Sequence, residues 1–118
     1  MAIKSVGVIG AGQMGNGIAH VFALAGYDVF LNDIDAARID KALALIEKNM
    51  DRQIGRGAIS EEDKAGALSR ITKTTDLAPV GGADLVIEAA TENEKIKNQI
   101  FASLAPHLGE RTILTSNT

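Results

Sequence analysis

An open, doubly wound α/β domain with a mainly parallel sheet is the fold class these 118 residues predict, and three observations predict it. Short β-branched apolar runs alternate along the chain with helix-periodic segments, the pattern of a parallel sheet covered on both faces. The first such run ends in a glycine-rich turn that opens a helix. The length and the 46% apolar and 23% charged content suit one globular domain, with no room for a second.

Ser5 to Ile9 (S-V-G-V-I) is a strand buried on both faces. From Met14 the pattern turns helical, with Met14, Ile18, Val21, Phe22 and Ala25 as the expected apolar stripe and Gly26 as the stop. Asp28 to Asn32 is a second strand, closed by Asp33. A helix follows from about Ala36 to Ile54, with Ile39, Leu43, Ile46 and Met50 inward. Ser60, with Asp63 three residues on, reads as the cap of a short helix reaching about Ser69. Ile71 to Thr75 is a thin strand, and Asp84 to Glu88 a stronger one after a Gly81-Gly82 turn. Thr91 and Glu94 have capping-box spacing ahead of a helix carrying Ile96, Ile100, Phe101 and Leu104. Pro106 ends it, and Thr112 to Thr115 is the last strand. The expected strand order is 3-2-1-4-5.

Composition narrows the function. Twelve basic against fifteen acidic residues and four aromatics argue against nucleic-acid binding. No apolar run approaches the ~18 residues of a membrane span, and no signal peptide is visible. The expected location is the cytoplasm. The absence of cysteine excludes a disulfide scaffold and Cys-ligated metal, and no metal site is expected.

Gly10-Ala11-Gly12-Gln13-Met14-Gly15 spells G-x-G-x-x-G between strand and helix, and Asp33 closes the next strand eighteen positions beyond Gly15. That context is the dinucleotide-binding fingerprint of a Rossmann domain. Gly10 allows the tight turn, Gly12 lets the diphosphate approach, and Gly15 lets the helix lie on the sheet. Gly10, Ala11, Gly12, Gln13, Met14 and Gly15 are therefore assigned to the cofactor. Asp33 can accept hydrogen bonds from both ribose hydroxyls and repels a 2′-phosphate, favouring NAD over NADP. The plainer reading makes Asp33 a turn or cap residue, although Asp35 is the better cap. Arg38 is a candidate 2′-phosphate partner, but it sits inside the helix.

Four segments, V-G-V-I-G-A-G-Q-M-G-N-G-I-A, L-N-D-I-D, V-I-E-A-A-T-E-N-E-K-I-K and T-S-N-T, resemble the 3-hydroxyacyl-CoA dehydrogenase family, in particular its bacterial 3-hydroxybutyryl-CoA type, along the whole chain. The resemblance implies hydride transfer between the 3-hydroxyl carbon of an acyl-CoA and NAD, in fatty-acid or butanoate metabolism. It also implies an N-terminal NAD-binding domain followed by an all-helical domain through which the full-length protein forms a homodimer. By resemblance Glu92 and Lys97 contact NAD, Ala90 lies against it, and Asn117 stands beside the nicotinamide. The family's serine, histidine, glutamate and asparagine come later, so the chain is expected to be a catalytically incompetent fragment that stops before the helical domain.

The two histidines fit that expectation: His20 reads as a packed boundary residue and His107 as a helix-end cation. Arg38, Lys41, Lys48, Arg52 and Arg56 share an arc of about 80° on the second long helix. Either it is a solvated face, or, as the resemblance implies, Arg52 and Arg56 receive the phosphates of coenzyme A. Glu92 could also serve the helix dipole, and Lys97 could be a surface residue. Two other functions share the glycine turn, a non-enzymatic dinucleotide sensor and an FAD domain. The FAD reading is disfavoured because Asp33 stands where flavin proteins usually carry glutamate.

Overall fold

The computed structural model describes residues 3–90, 93–109 and 112–116. In chain order the elements are β1 (Ser5–Ile9), α1 (Gln13–Leu24), β2 (Asp28–Asn32), α2 (Ala36–Gly55), α3 (Glu61–Ser69), β3 (Ile71–Thr74), α4 (Ala78–Gly81), β4 (Leu85–Glu88), α5 (Glu94–Leu104) and β5 (Ile113–Ser116). A 3-10 turn, Ala105–His107, runs on from α5. The five strands form one parallel sheet in the order β3-β2-β1-β4-β5, as the sequence predicts.

Alternation along the strands sends side chains to two apolar layers. Val6, Val8, Val29, Leu31 and Ile87 pack beneath α1, α2 and α3 with Ile39, Ile46 and Met50. Ile9 and Val86 face the other way, against Val80 and Leu104 from α4 and α5. Gly7 is a glycine because a Cβ there would stand 2.6 Å from Val80 Cγ1. No helix among the described residues is long and apolar enough to cross a membrane.

The helix ends follow from local chemistry. α1 closes with Gly26 at φ +100°, Tyr27 N bonding to Phe22 O and Gly26 N to Ala23 O. This is a Schellman motif, in which the residue beyond the glycine packs back onto the last turn. Here the Tyr27 ring meets Phe22 edge-on at 5.3 Å. Gly57, at φ +75°, ends α2 the same way, with Ala58 N on Gln53 O and Gly57 N on Ile54 O. α3 opens on the expected capping box of Ser60 and Asp63.

Four expectations are corrected. The inward face of α1 is Gly15, Asn16, Ala19 and Ala23, while Met14 and Val21 are exposed. The cause is Gly15: a Cβ there would collide with the Gly10 carbonyl oxygen, so the helix lies close against the turn and small residues make its contact row, while the predicted Ile18 and Phe22 pack half-buried at its flank. α5 is capped by Asn93, whose side chain accepts from Ile96 N at 3.1 Å; Thr91 lies outside the described residues. On α5 Lys97 and Leu104 are buried and Ile96 is exposed. Finally, the supposed Gly81-Gly82 turn is the end of the short helix α4, with Gly81 its last residue and Gly82 its C-cap; Pro79 stands in its first turn, where a fixed φ is well suited.

Candidate functional site

The glycine turn joins β1 to α1 at the carboxyl edge of the central strand, beside the tips of β2 and β4. Gly10, at φ +103°, would place a Cβ 2.6 Å from Ala90 Cα; only glycine permits both the backbone and this approach. Its amide donates to Asn32 O at 2.7 Å. Gly12 caps α1 without a side-chain hydrogen bond, and the first internal helix bond runs from Asn16 N to Gly12 O. The amides of Gln13, Met14 and Gly15 therefore precede the ladder and aim outward at the positive end of the helix. A Cβ on Gly12 would meet no protein atom within 4 Å, so the turn leaves open the space a diphosphate needs.

Asp33 is fixed with that turn. Its carboxylate is nearly buried, 6% exposed. Oδ2 accepts from Ala11 N and Oδ1 from Asp35 N, both at 3.0 Å. An ionised carboxylate has about four acceptor directions, so two amides aim it while leaving capacity for two hydroxyl donors. Asp35, not Asp33, caps α2, accepting from Ala37 N at 2.9 Å. The structure thus brings Gly10, Ala11, Gly12, Gln13, Met14, Gly15, Asp33 and Ala90 together.

Lys97 is no surface residue: it is buried on the first turns of α5. Glu92 and Asn117 lie outside the described residues. Arg52 and Arg56 stand at the other end of α2, roughly 24 and 30 Å from its start at 1.5 Å per residue. With His20, Asn49 and Gln53 they line an open cleft of about 540 Å³. All five cations of the α2 arc are exposed. His20 Nε2 donates to Gln53 Oε1 at 2.8 Å, and His107 is exposed on the 3-10 turn; neither reaches the glycine turn.

Two residues that sequence reasoning passed over shape the site. Glu88, fully buried at the tip of β4, accepts from Ala90 N at 2.6 Å and so holds the backbone facing Gly10. A carboxylate closing an otherwise apolar strand was the available signal. Asn16 Nδ2 donates to Ala42 O at 2.9 Å and ties α1 to α2; nothing in the helix pattern marks it.

The comparisons with known proteins agree with this geometry. Residues 5–118 match the family model described as 3-hydroxyacyl-CoA dehydrogenase, NAD binding domain. A 3-hydroxybutyryl-CoA dehydrogenase of Bradyrhizobium diazoefficiens is 51% identical over 98% of the chain and 40% of its own length. A 3-hydroxyadipyl-CoA dehydrogenase of Escherichia coli is 40% identical over 98% of the chain and 24% of its own length. The crystal structure of (S)-3-hydroxybutyryl-CoA dehydrogenase from Ralstonia eutropha superposes with a TM-score of 0.95 at 42% identity, covering 99% of the chain and 41% of that structure. The chain thus spans between 24% and 41% of the length of these relatives.

Proposed function

The chain belongs to the 3-hydroxyacyl-CoA dehydrogenase family, spanning its NAD-binding domain, and from that premise we propose that it is the dinucleotide-holding part of an enzyme interconverting 3-hydroxyacyl-CoA and 3-oxoacyl-CoA. The observation that carries this reading is the joint fixation of turn and carboxylate through the Ala11 N to Asp33 Oδ2 bond. One bond sets the distance between the diphosphate amides and the ribose acceptor. A sensor module would share this geometry but has no relative among the proteins compared above, all of them dehydrogenases.

When bound, NAD supplies the acceptor or donor of hydride at the substrate's C3. The chain's own residues bind and orient. The amides of Gln13, Met14 and Gly15 meet the diphosphate, Asp33 accepts from the ribose hydroxyls, and Ala90 lines the floor. By the family resemblance, Glu92 and Lys97 are assigned to contacts with the dinucleotide and Asn117 to the nicotinamide. As C3–H leaves as hydride, the hydroxyl proton needs a base within hydrogen-bond reach. Neither His20 nor His107 stands at the turn, so in this reading the base comes from a helical domain that also forms the homodimer. The CoA phosphates are assigned to Arg52 and Arg56, which share a cleft with two amide side chains.

The test is NADH fluorescence titration of the chain against Asp33→Ala. Charge-assisted hydrogen bonds contribute about 1.5–3 kcal/mol each, so affinity should fall at least about tenfold. Equal affinity in the two proteins would refute the assignment. For the second site, CoA binding measured by calorimetry should weaken when Arg52 and Arg56 are both changed to Glu. An unchanged affinity would remove both residues from the CoA site.

A further inference from the structure

Arg38 has a position that helix stability does not account for. It is the third residue of α2, whose first turn holds no acidic side chain, so its charge faces the positive end of the helix, where cations are disfavoured. Its guanidinium lies 3.9 Å from Asp33 Oδ2, and the side chain is 67% exposed against 6% for Asp33. The two partners are not equivalent. Asp33 is held from both sides by Ala11 N and Asp35 N, whereas the long Arg38 arm is mostly exposed and contacts it from the solvent side.

This asymmetry matters at the ribose edge. Alone, the Asp33 carboxylate would present a full negative charge to whatever the ribose carries at its 2′ carbon. With Arg38 beside it the edge is close to neutral, and the guanidinium fork matches a phosphate in geometry as well as charge. We propose that Arg38 is a specificity-determining residue: it relaxes the exclusion set by Asp33, so that the chain accepts the 2′-phosphorylated dinucleotide NADP as a weaker second ligand. This rests on the NAD site described above. It assigns to Arg38 the energetic balance between the two cofactors, not the binding of either diphosphate.

The experiment compares the chain with Arg38→Ala and Arg38→Lys by fluorescence titration with NADH and NADPH, repeated by competition with 5′-AMP and 2′,5′-ADP. Wild type should bind NADPH measurably, though more weakly than NADH. Arg38→Ala should lose about fivefold or more in affinity for NADPH and 2′,5′-ADP, while NADH and 5′-AMP change less than about twofold. Arg38→Lys, keeping the charge but not the fork, should fall between. Raising the salt should weaken NADPH more than NADH, because the contact is exposed. Undetectable NADPH binding by wild type overturns the inference, as does an unchanged NADPH affinity in Arg38→Ala. Equal losses for both dinucleotides also overturn it, by making the pair with Asp33 merely structural. Failure of wild type to bind NADH would overturn the dinucleotide site itself, a result distinct from the other three.

Discussion

Gly15 and Asp33 carry the site through opposite properties. Gly15 acts through what it lacks: any side chain would strike the Gly10 carbonyl oxygen, pushing α1 off the sheet and turning its first amides away from the diphosphate. Gly15→Ala should therefore destabilise the fold by about 1–3 kcal/mol, the usual cost of overpacking, and weaken NADH binding as well. Urea denaturation read beside the NADH titration checks this. A variant of wild-type stability and affinity would show that the close approach is not required. Asp33 acts through what it keeps: two amides fix it, and acceptor capacity is left over. Both residues were legible in the sequence, since the spacing of glycines and acid is the signature of this geometry. Glu88 was legible only as a carboxylate closing the apolar run L-V-I, a signal with no spacing to name its role; the fold reveals that Ala90 N bonds to it.

At the level of elements, propensity and capping read well where the signal is local. The two Schellman glycines, the Ser60–Asp63 box and the strand limits of β1 and β2 all follow from neighbouring residues. The inward face of α1 did not follow, because a hydrophobic stripe assumes ordinary helix-to-sheet spacing. Gly15 shortens that spacing and makes Ala19 and Ala23 the contact row. Cross-sheet ties were equally hidden. Asp84, just before β4, accepts from Lys4 N at 2.8 Å and Ser5 N at 3.2 Å, and its own amide donates to Ser5 Oγ. These amides, Lys4 N foremost, hold its carboxyl below the usual carboxylate range. A group whose pKa is depressed by folding stabilises above its unfolded pKa of about 3.9. That contribution is lost as pH falls through the lower folded value. Asp84→Asn should therefore lower the urea midpoint at pH 7, and the gap to wild type should close as pH drops below about 4. A gap that is constant from pH 7 to pH 2 would contradict this tie.

For the whole molecule, the parallel order with β1 at the centre places the glycine turn between the tips of β2 and β4, where a doubly wound sheet opens its crevice. The two edges differ. β3 presents Thr72 and Lys73, the latter paired with Asp40 at 3.1 Å, as protected edge strands do. β5 leaves Ile113 and Leu114 partly exposed. The topology was legible because the glycine motif after β1 selects this order among the doubly wound sheets, all of which share right-handed crossovers. The placement of Arg52 and Arg56 relative to Asp33 was not, since an arc on a helical projection omits distance along the axis.

The central claim is that one preformed unit, the amides opening α1 together with the Asp33 carboxylate, holds the dinucleotide. Amide chemical shifts of the ¹⁵N-labelled chain during titration with NAD test it most directly. The largest perturbations should fall on Gly12 to Asn16, on Asp33 to Asp35 and on Ala89 and Ala90. Perturbations confined to the Arg52–Arg56 end of α2, or to the β5 edge, would contradict it.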